Sequence, residues 1–116
     1  MQGRHIKVVG KGKPEALASK DTVESFIADI VHAVGMRPAI APFVYDNVDA
    51  KCITGFVVLP TSHAVVHTWS LDKLLMFDLF APHQFHDLTV VAAVVRHFGL
   101  AKYAVRDLTN AMCIPG

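Results

Sequence analysis

Three short runs, Ile53 to Leu59, His63 to Trp69 and Leu74 to Phe80, follow one another so closely that an antiparallel meander is the natural way to house them. The first is apolar enough to be buried on both faces and is interrupted by Pro60, and the second is rich in Val, Thr and Trp. Ser70-Leu71-Asp72-Lys73 supplies the turn into the third. Strands joined by turns this short are neighbours in one sheet.

Helical periodicity appears twice. From Asp21 to Gly35, the residues Val23, Phe26, Ile27, Ile30, Val31 and Val34 recur on one face, with Glu24, Asp29 and His32 between them. Asp21 and Glu24 have the spacing of a capping arrangement, and Gly35 and Pro38 supply the stop. Asp87 is the candidate cap of a second helix with an inner stripe of Leu88, Val91, Val95 and Phe98, ending at Gly99.

Around these, Gly3 to Val9 reads as a first strand and Gly10 to Pro14 as a loop. Ala39 to Tyr45 reads as a strand before a turn at Asp46-Asn47-Val48-Asp49, Lys102 to Leu108 as the last strand, and Thr109 to Gly116 as an irregular tail. The order β-α-β-β-β-β-α-β predicts an α+β fold, a two-layer α/β sandwich with two helices on one face of a largely antiparallel sheet.

One domain over residues 1–116 is the expectation from length. Eleven Lys and Arg against ten Asp and Glu give a charge of +1, dispersed along the chain, which argues against a nucleic-acid partner. No apolar run approaches the roughly 18 residues needed to cross a bilayer, and Gln2 to Lys13 is too polar for a signal peptide. A cytoplasmic protein with no membrane partner is expected. A hydrophobic content of 53% is high for a domain of this size, so part of that surface is expected to meet another subunit.

Cys52 and Cys113 form no CxxC or Cys/His pattern with zinc spacing, so no metal is expected, and both read as small buried residues. Gly10 and Gly12 make neither a GxGxxG nor a Walker pattern. Phe43 and Tyr45 read as core packing in a strand rather than as a platform for a base.

A hydroxyl and an imidazole, Ser62 and His67, lie just after the proline-broken strand, but a serine near a histidine has little specificity without an acid and an oxyanion hole. Their setting is more specific: Thr54-Gly55-Phe56-Val57-Val58-Leu59-Pro60-Thr61-Ser62-His63, then His67-Thr68-Trp69, then Phe77-Asp78-Leu79-Phe80, with Gly3-Arg4-His5 at the start. Together these segments resemble the bacterial-type S-adenosylmethionine decarboxylase proenzymes over nearly the whole chain.

The resemblance implies a pyruvoyl cofactor made from Ser62, with no metal and no pyridoxal phosphate. The Ser62 hydroxyl attacks the carbonyl of the preceding residue, and elimination from the resulting ester leaves residues 1–61 as a β chain and 62–116 as an α chain. It assigns His67 as the processing base and places Thr54 where the family has a serine that helps stabilise the cyclic intermediate. The pyruvoyl carbonyl then forms a Schiff base with the substrate amine and acts as an electron sink. It also implies a homodimer.

Three positions depart from the family pattern. Thr61 stands where the family has glutamate, and Leu71 where a glutamate holds the ribose of S-adenosylmethionine, leaving Asp72 as the nearest carboxylate. Pro82 stands where a cysteine returns a proton to the substrate, leaving His83 or His86 as the nearest acids. Besides S-adenosylmethionine decarboxylation for spermidine synthesis, the sequence leaves open the same chemistry on arginine or ornithine, a non-catalytic uncleaved pairing module, and ordinary strand roles for Ser62, His63 and His67. In one regular strand Ser62 and His67 face opposite ways, so the processing role calls for a turn or bulge near Ser62.

Overall fold

A computed structural model describes residues 3–109. In chain order its elements are β1 (Arg4–Lys11), α1 (Pro14–Leu17), α2 (Lys20–Ala33), β2 (Phe43–Asn47), β3 (Cys52–Leu59), β4 (Ser62–Trp69), β5 (Leu74–Ala81), α3 (Asp87–Phe98) and β6 (Lys102–Asp107). The six strands form one sheet in the order β2-β3-β4-β5-β1-β6, and every neighbouring pair is antiparallel. The expected β3-β4-β5 meander is its centre. β1 then pairs with β5 from the far end of the sequence and carries β6 on its other side.

The helices cover one face of this sheet, where Ile6, Val8, Ile53, Val57, Val66 and Phe77 are buried beneath them. All six residues of the expected α2 stripe are buried. Phe26 locks the layers together, meeting Phe77 of β5 edge-on at 5.0 Å and Phe98 of α3 at 5.2 Å. α2 comes down on β3 at Gly55, where a Cβ would lie 2.3 Å from Ile27 Cδ1 and 2.8 Å from Val23 Cγ1. The buried hydroxyl of Thr68 donates to the Leu17 carbonyl at 2.7 Å and ties α1 to the sheet.

Several boundaries differ from expectation, each for a local reason. β1 continues to Lys11 instead of stopping at Val9, because Gly10 and Lys11 are paired on both sides. Gly10 fits there because a Cβ would sit 2.9 Å from the Lys102 carbonyl oxygen. Pro14 then opens the one-turn α1, its missing N–H costing nothing at a helix start.

α2 is capped by Ser19, whose Oγ accepts from the Thr22 N–H at 3.1 Å, so Asp21 lies inside the first turn. Asp87 likewise is the first residue of α3 rather than its cap, drawn to Arg4 Nη1 at 2.6 Å. The buried face of α3 is Val90, Val91, Ala93, Val94 and Phe98, while Leu88 is 79% exposed and Val95 only partly buried. With valines at 90, 91, 94 and 95, two adjacent stripes were equally apolar. β2 starts late, at Phe43, because Pro38 and Pro42 remove backbone donors, and only Ala39 N–H reaches β3, at the Val58 carbonyl. Asp46 and Asn47 are strand residues paired with Ile53 and Cys52, and the turn follows them, ending on Lys51 with φ 54°.

Gly55→Ala is expected to lower stability by about 1–3 kcal/mol in urea unfolding, because Ile27 and Val23 have to move, although alanine is favoured over glycine in an unobstructed strand. A second expectation concerns Asp29 of α2, which accepts from His97 Nε2 at 2.8 Å and pairs with Arg96, both on α3. These hydrogen bonds, from His97 first and Arg96 next, hold its carboxyl below the ordinary carboxylate value. A depressed folded-state value gives stability that is present above the unfolded value of about 3.9 and lost as pH falls. Asp29→Asn is therefore expected to lower the melting temperature most in the neutral region and little at the acid end, which flattens the acid limb of the profile below about pH 4.

Candidate active site

β3 and β4 are joined by a two-residue hairpin, Pro60-Thr61, and their pairing runs without a bulge from Leu59↔Ser62 to Cys52↔Trp69. Both turn residues have negative φ. Ser62 is thus the first residue of a regular strand. Its side chain points to the helix side with Ala64, Val66 and Thr68, and its Oγ donates to Met36 Sδ at 3.9 Å, a long bond to a weak acceptor.

The same register sets Thr54 directly opposite His67 on the other, uncovered face. Thr54 Oγ1 and His67 Nδ1 share a hydrogen bond of 2.9 Å, and the imidazole lies 5.7 Å from the Trp69 ring. The turn called for near Ser62 is present, but it precedes the strand. Ser62 and His67 therefore stay on opposite faces, five residues or about 17 Å apart along β4.

Beside the hairpin, Gly35, Met36, Arg37, Pro60, Thr61, Pro82 and His83 line a cavity of about 380 Å³. Thr61 and Pro82, two of the positions that depart from the family pattern, therefore share one wall-to-wall space. His83 donates from Nε2 to the Val34 carbonyl at 2.9 Å, which commits that proton to the end of α2. His86 is exposed at the start of α3. Asp72 lies in the turn at the opposite end of β4, where its carbonyl accepts from Lys11 Nζ at 2.9 Å, and neighbouring Leu71 is 79% exposed. Within one chain Asp72 and Ser62 are thus separated by the length of the sheet.

Phe43 and Tyr45 are 64% and 55% exposed on the uncovered face, contrary to the expectation of core packing, because β2 is an edge strand whose alternate residues face away from the helices. Cys52 is half-buried on that same face beside Thr54, and burial pushes its thiol up from the ordinary value. Cys113 lies outside the described residues. Among the described residues no three His, Cys, Asp or Glu side chains converge as a metal site. No helix among them is long and apolar enough to cross a membrane.

Residues 5–110 match the S-adenosylmethionine decarboxylase family. The chain belongs to that family. A curated relative, the S-adenosylmethionine decarboxylase proenzyme of Archaeoglobus fulgidus, is 30% identical over 79 residues, which are 67% of this chain and 69% of the relative. The crystal structure of the adenosylmethionine decarboxylase from Aquifex aeolicus superposes with a TM-score of 0.77, covering 99% of this chain and 95% of that one at 14% identity, so the two share the fold.

Sequence reasoning passed over one group on the uncovered face. His5 and His63 both direct Nε2 at Asp78. The available signal was a carboxylate inside the apolar run Phe77-Asp78-Leu79-Phe80, and two histidines four apart in one strand, which share a face.

Proposed function

We propose that this chain is a proenzyme that cleaves itself before Ser62, carries a pyruvoyl group there, and decarboxylates S-adenosylmethionine for spermidine synthesis as a cytoplasmic homodimer. The observation that carries the reading is the 2.9 Å Thr54–His67 hydrogen bond, which holds an imidazole at a fixed place on the uncovered face, five residues along β4 from Ser62.

The self-cleavage uses the chain's own atoms. Ser62 Oγ gives up its proton and bonds to the Thr61 carbonyl carbon, the peptide nitrogen leaves as the amine, and an ester replaces the amide. Proton removal from the Ser62 Cα then expels the Thr61 carboxylate, and water replaces the amine nitrogen as ammonia. Because the Ser62 hydroxyl is held only by a long bond to a thioether, freeing it costs little. When formed, the pyruvoyl group supplies a carbonyl for the substrate amine and an acceptor for the electrons freed as carbon dioxide leaves. The cavity lined by Thr61, Pro82 and His83 adjoins the reacting end, and a substrate seated there has His83 beside it and an exposed Arg37 at the rim.

Two features support the homodimer. The uncovered face carries Phe43, Tyr45 and Phe56 exposed among half-buried apolar neighbours, a surface that gains from being covered. Ser62 and His67 are also too far apart to exchange a proton within one chain. Two sheets stacked through their uncovered faces about a two-fold axis perpendicular to the strands run in opposite directions, which sets the His67 and Asp72 region of one copy over the hairpin end of the other. This arrangement brings a base and a carboxylate to the hairpin end of the partner, where Ser62 meets them once its side chain turns from the helix side.

Purified protein is expected to give two masses, residues 1–61 and a carbonyl-blocked 62–116, and to release carbon dioxide from S-adenosylmethionine faster than from ornithine or arginine. Ser62→Ala is expected to remain whole. A single uncleaved wild-type chain with no carbon dioxide release from any of the three sinks the reading. Co-expression separates the dimer claim: a His67→Ala chain should be cut when paired with a Ser62→Ala partner, and a chain that stays whole in that mixture speaks for processing within one copy.

A further inference from the structure

Asp78 is a carboxylate in the middle of β5, one quarter exposed, with apolar residues on both sides in sequence. His5 of β1 donates from Nε2 to its two oxygens at 2.9 and 3.0 Å. His63 of β4 turns Nε2 toward Oδ1 from the other side at 3.6 Å, an ion-pair distance. The His63 ring also lies between two phenylalanines, 6.4 Å and 11° from Phe56 and 6.2 Å and 24° from Phe80. Its plane and its partner are therefore both fixed, while 44% of the side chain remains open. A charged group on an apolar face is costly to cover unless that part of the face borders a polar space. Self-cleavage through Ser62, Thr54 and His67 makes no use of this cluster.

We propose that His63 is the acid that returns a proton to the substrate carbon from which carbon dioxide has left, with Asp78 and His5 as its positioning residues. The inference rests on the pyruvoyl reading above. His63 directly follows the reacting residue, so their Cα atoms are about 3.8 Å apart whatever the strand does. Cutting the Thr61–Ser62 bond also frees residue 62 from its pairing with Leu59 and lets it turn toward the His63 face. The competing groups are less well suited: Pro82 has no proton to give, and His83 Nε2 is held by a neutral carbonyl, that of Val34, where His63 has a carboxylate to favour its charged ring.

The transfer balances simply. In the doubly protonated ring Nε2–H faces Asp78, and the proton on Nδ1 goes to the carbon, where it is taken up by the electron pair left by carbon dioxide. The neutral ring keeps Nε2–H on Asp78, and Nδ1 recovers a proton from water.

The test uses the self-cleaved enzyme, with processing checked first by intact mass. His63→Gln is expected to lower kcat on S-adenosylmethionine about 100-fold or more with KM within about threefold, and imidazole added to His63→Ala is expected to restore part of the rate. Asp78→Asn is expected to lower kcat by at least about tenfold, again without a matching rise in KM, because the ring loses its orienting carboxylate. Cleaved His63→Gln with kcat within about threefold of the parent, or a loss found in His83→Gln instead, overturns the assignment and leaves self-cleavage standing. If His63→Gln fails to cleave, Asp78→Asn decides: a change in KM alone overturns the assignment. A wild-type chain that never cleaves removes the pyruvoyl reading and this one with it.

Discussion

The hydrogen-bond ladder between β3 and β4 fixes nearly everything about this site. A two-residue turn allows one register, Leu59 opposite Ser62, and from that register Thr54 falls opposite His67 with no further freedom. The period of two along each strand then decides the faces. A slip of one residue would send Thr54 and His67 under the helices and bring Ile53 and Val66 into the open. The ladder is anchored against such a slip by α2, whose Val23 and Ile27 leave room at residue 55 for a hydrogen atom and nothing larger. Helix packing and site geometry are therefore one constraint seen from two sides of the sheet.

The two faces do different work. Beneath the helices lies a continuous apolar core in which Phe26 bridges α2, α3 and β5. The uncovered face alternates aromatic and apolar residues with His5, Thr54, His63, His67 and Asp78. Such a mixture suits neither free solvent nor a dry interface throughout. It suits a surface that is partly covered by another sheet and partly left as a polar enclosure, where imidazoles and a carboxylate keep hydrogen-bond partners.

How much of this was legible in the sequence depends on the range of the contact responsible. The β3-β4-β5 meander and the α2 stripe arise from local pattern, and both were readable residue by residue. The α3 stripe was not, because runs of valine make neighbouring faces equally apolar and only the packed sheet chooses between them. The late start of β2 was readable in principle from Pro38 and Pro42, yet the apolar character of Ala39 to Tyr45 suggested otherwise. Thr54 and His67 were each singled out by motif order, but their pairing comes from the hairpin register. The His5–Asp78–His63 cluster had no comparable signal, since it needs β1 laid beside β5, a pairing across more than half the chain.

The same long-range pairing bears on what a cut before Ser62 does to the fold. Residues 1–61 contain β1, β2 and β3 with α1 and α2, and residues 62–116 contain β4, β5 and β6 with α3. In the sheet these pieces interleave: β3 is paired to β4, and β1 lies between β5 and β6. A break in the Pro60-Thr61 turn therefore opens the chain at the end of one ladder while three inter-piece ladders and the α2–α3 contact around Phe26 remain. Loss of the connection would cost the entropy of one short loop and would free the new terminus at residue 62. A sheet wound in this order can lose a peptide bond at its hairpin and keep its structure, so the placement of β1 is what makes the proposed cut compatible with the fold.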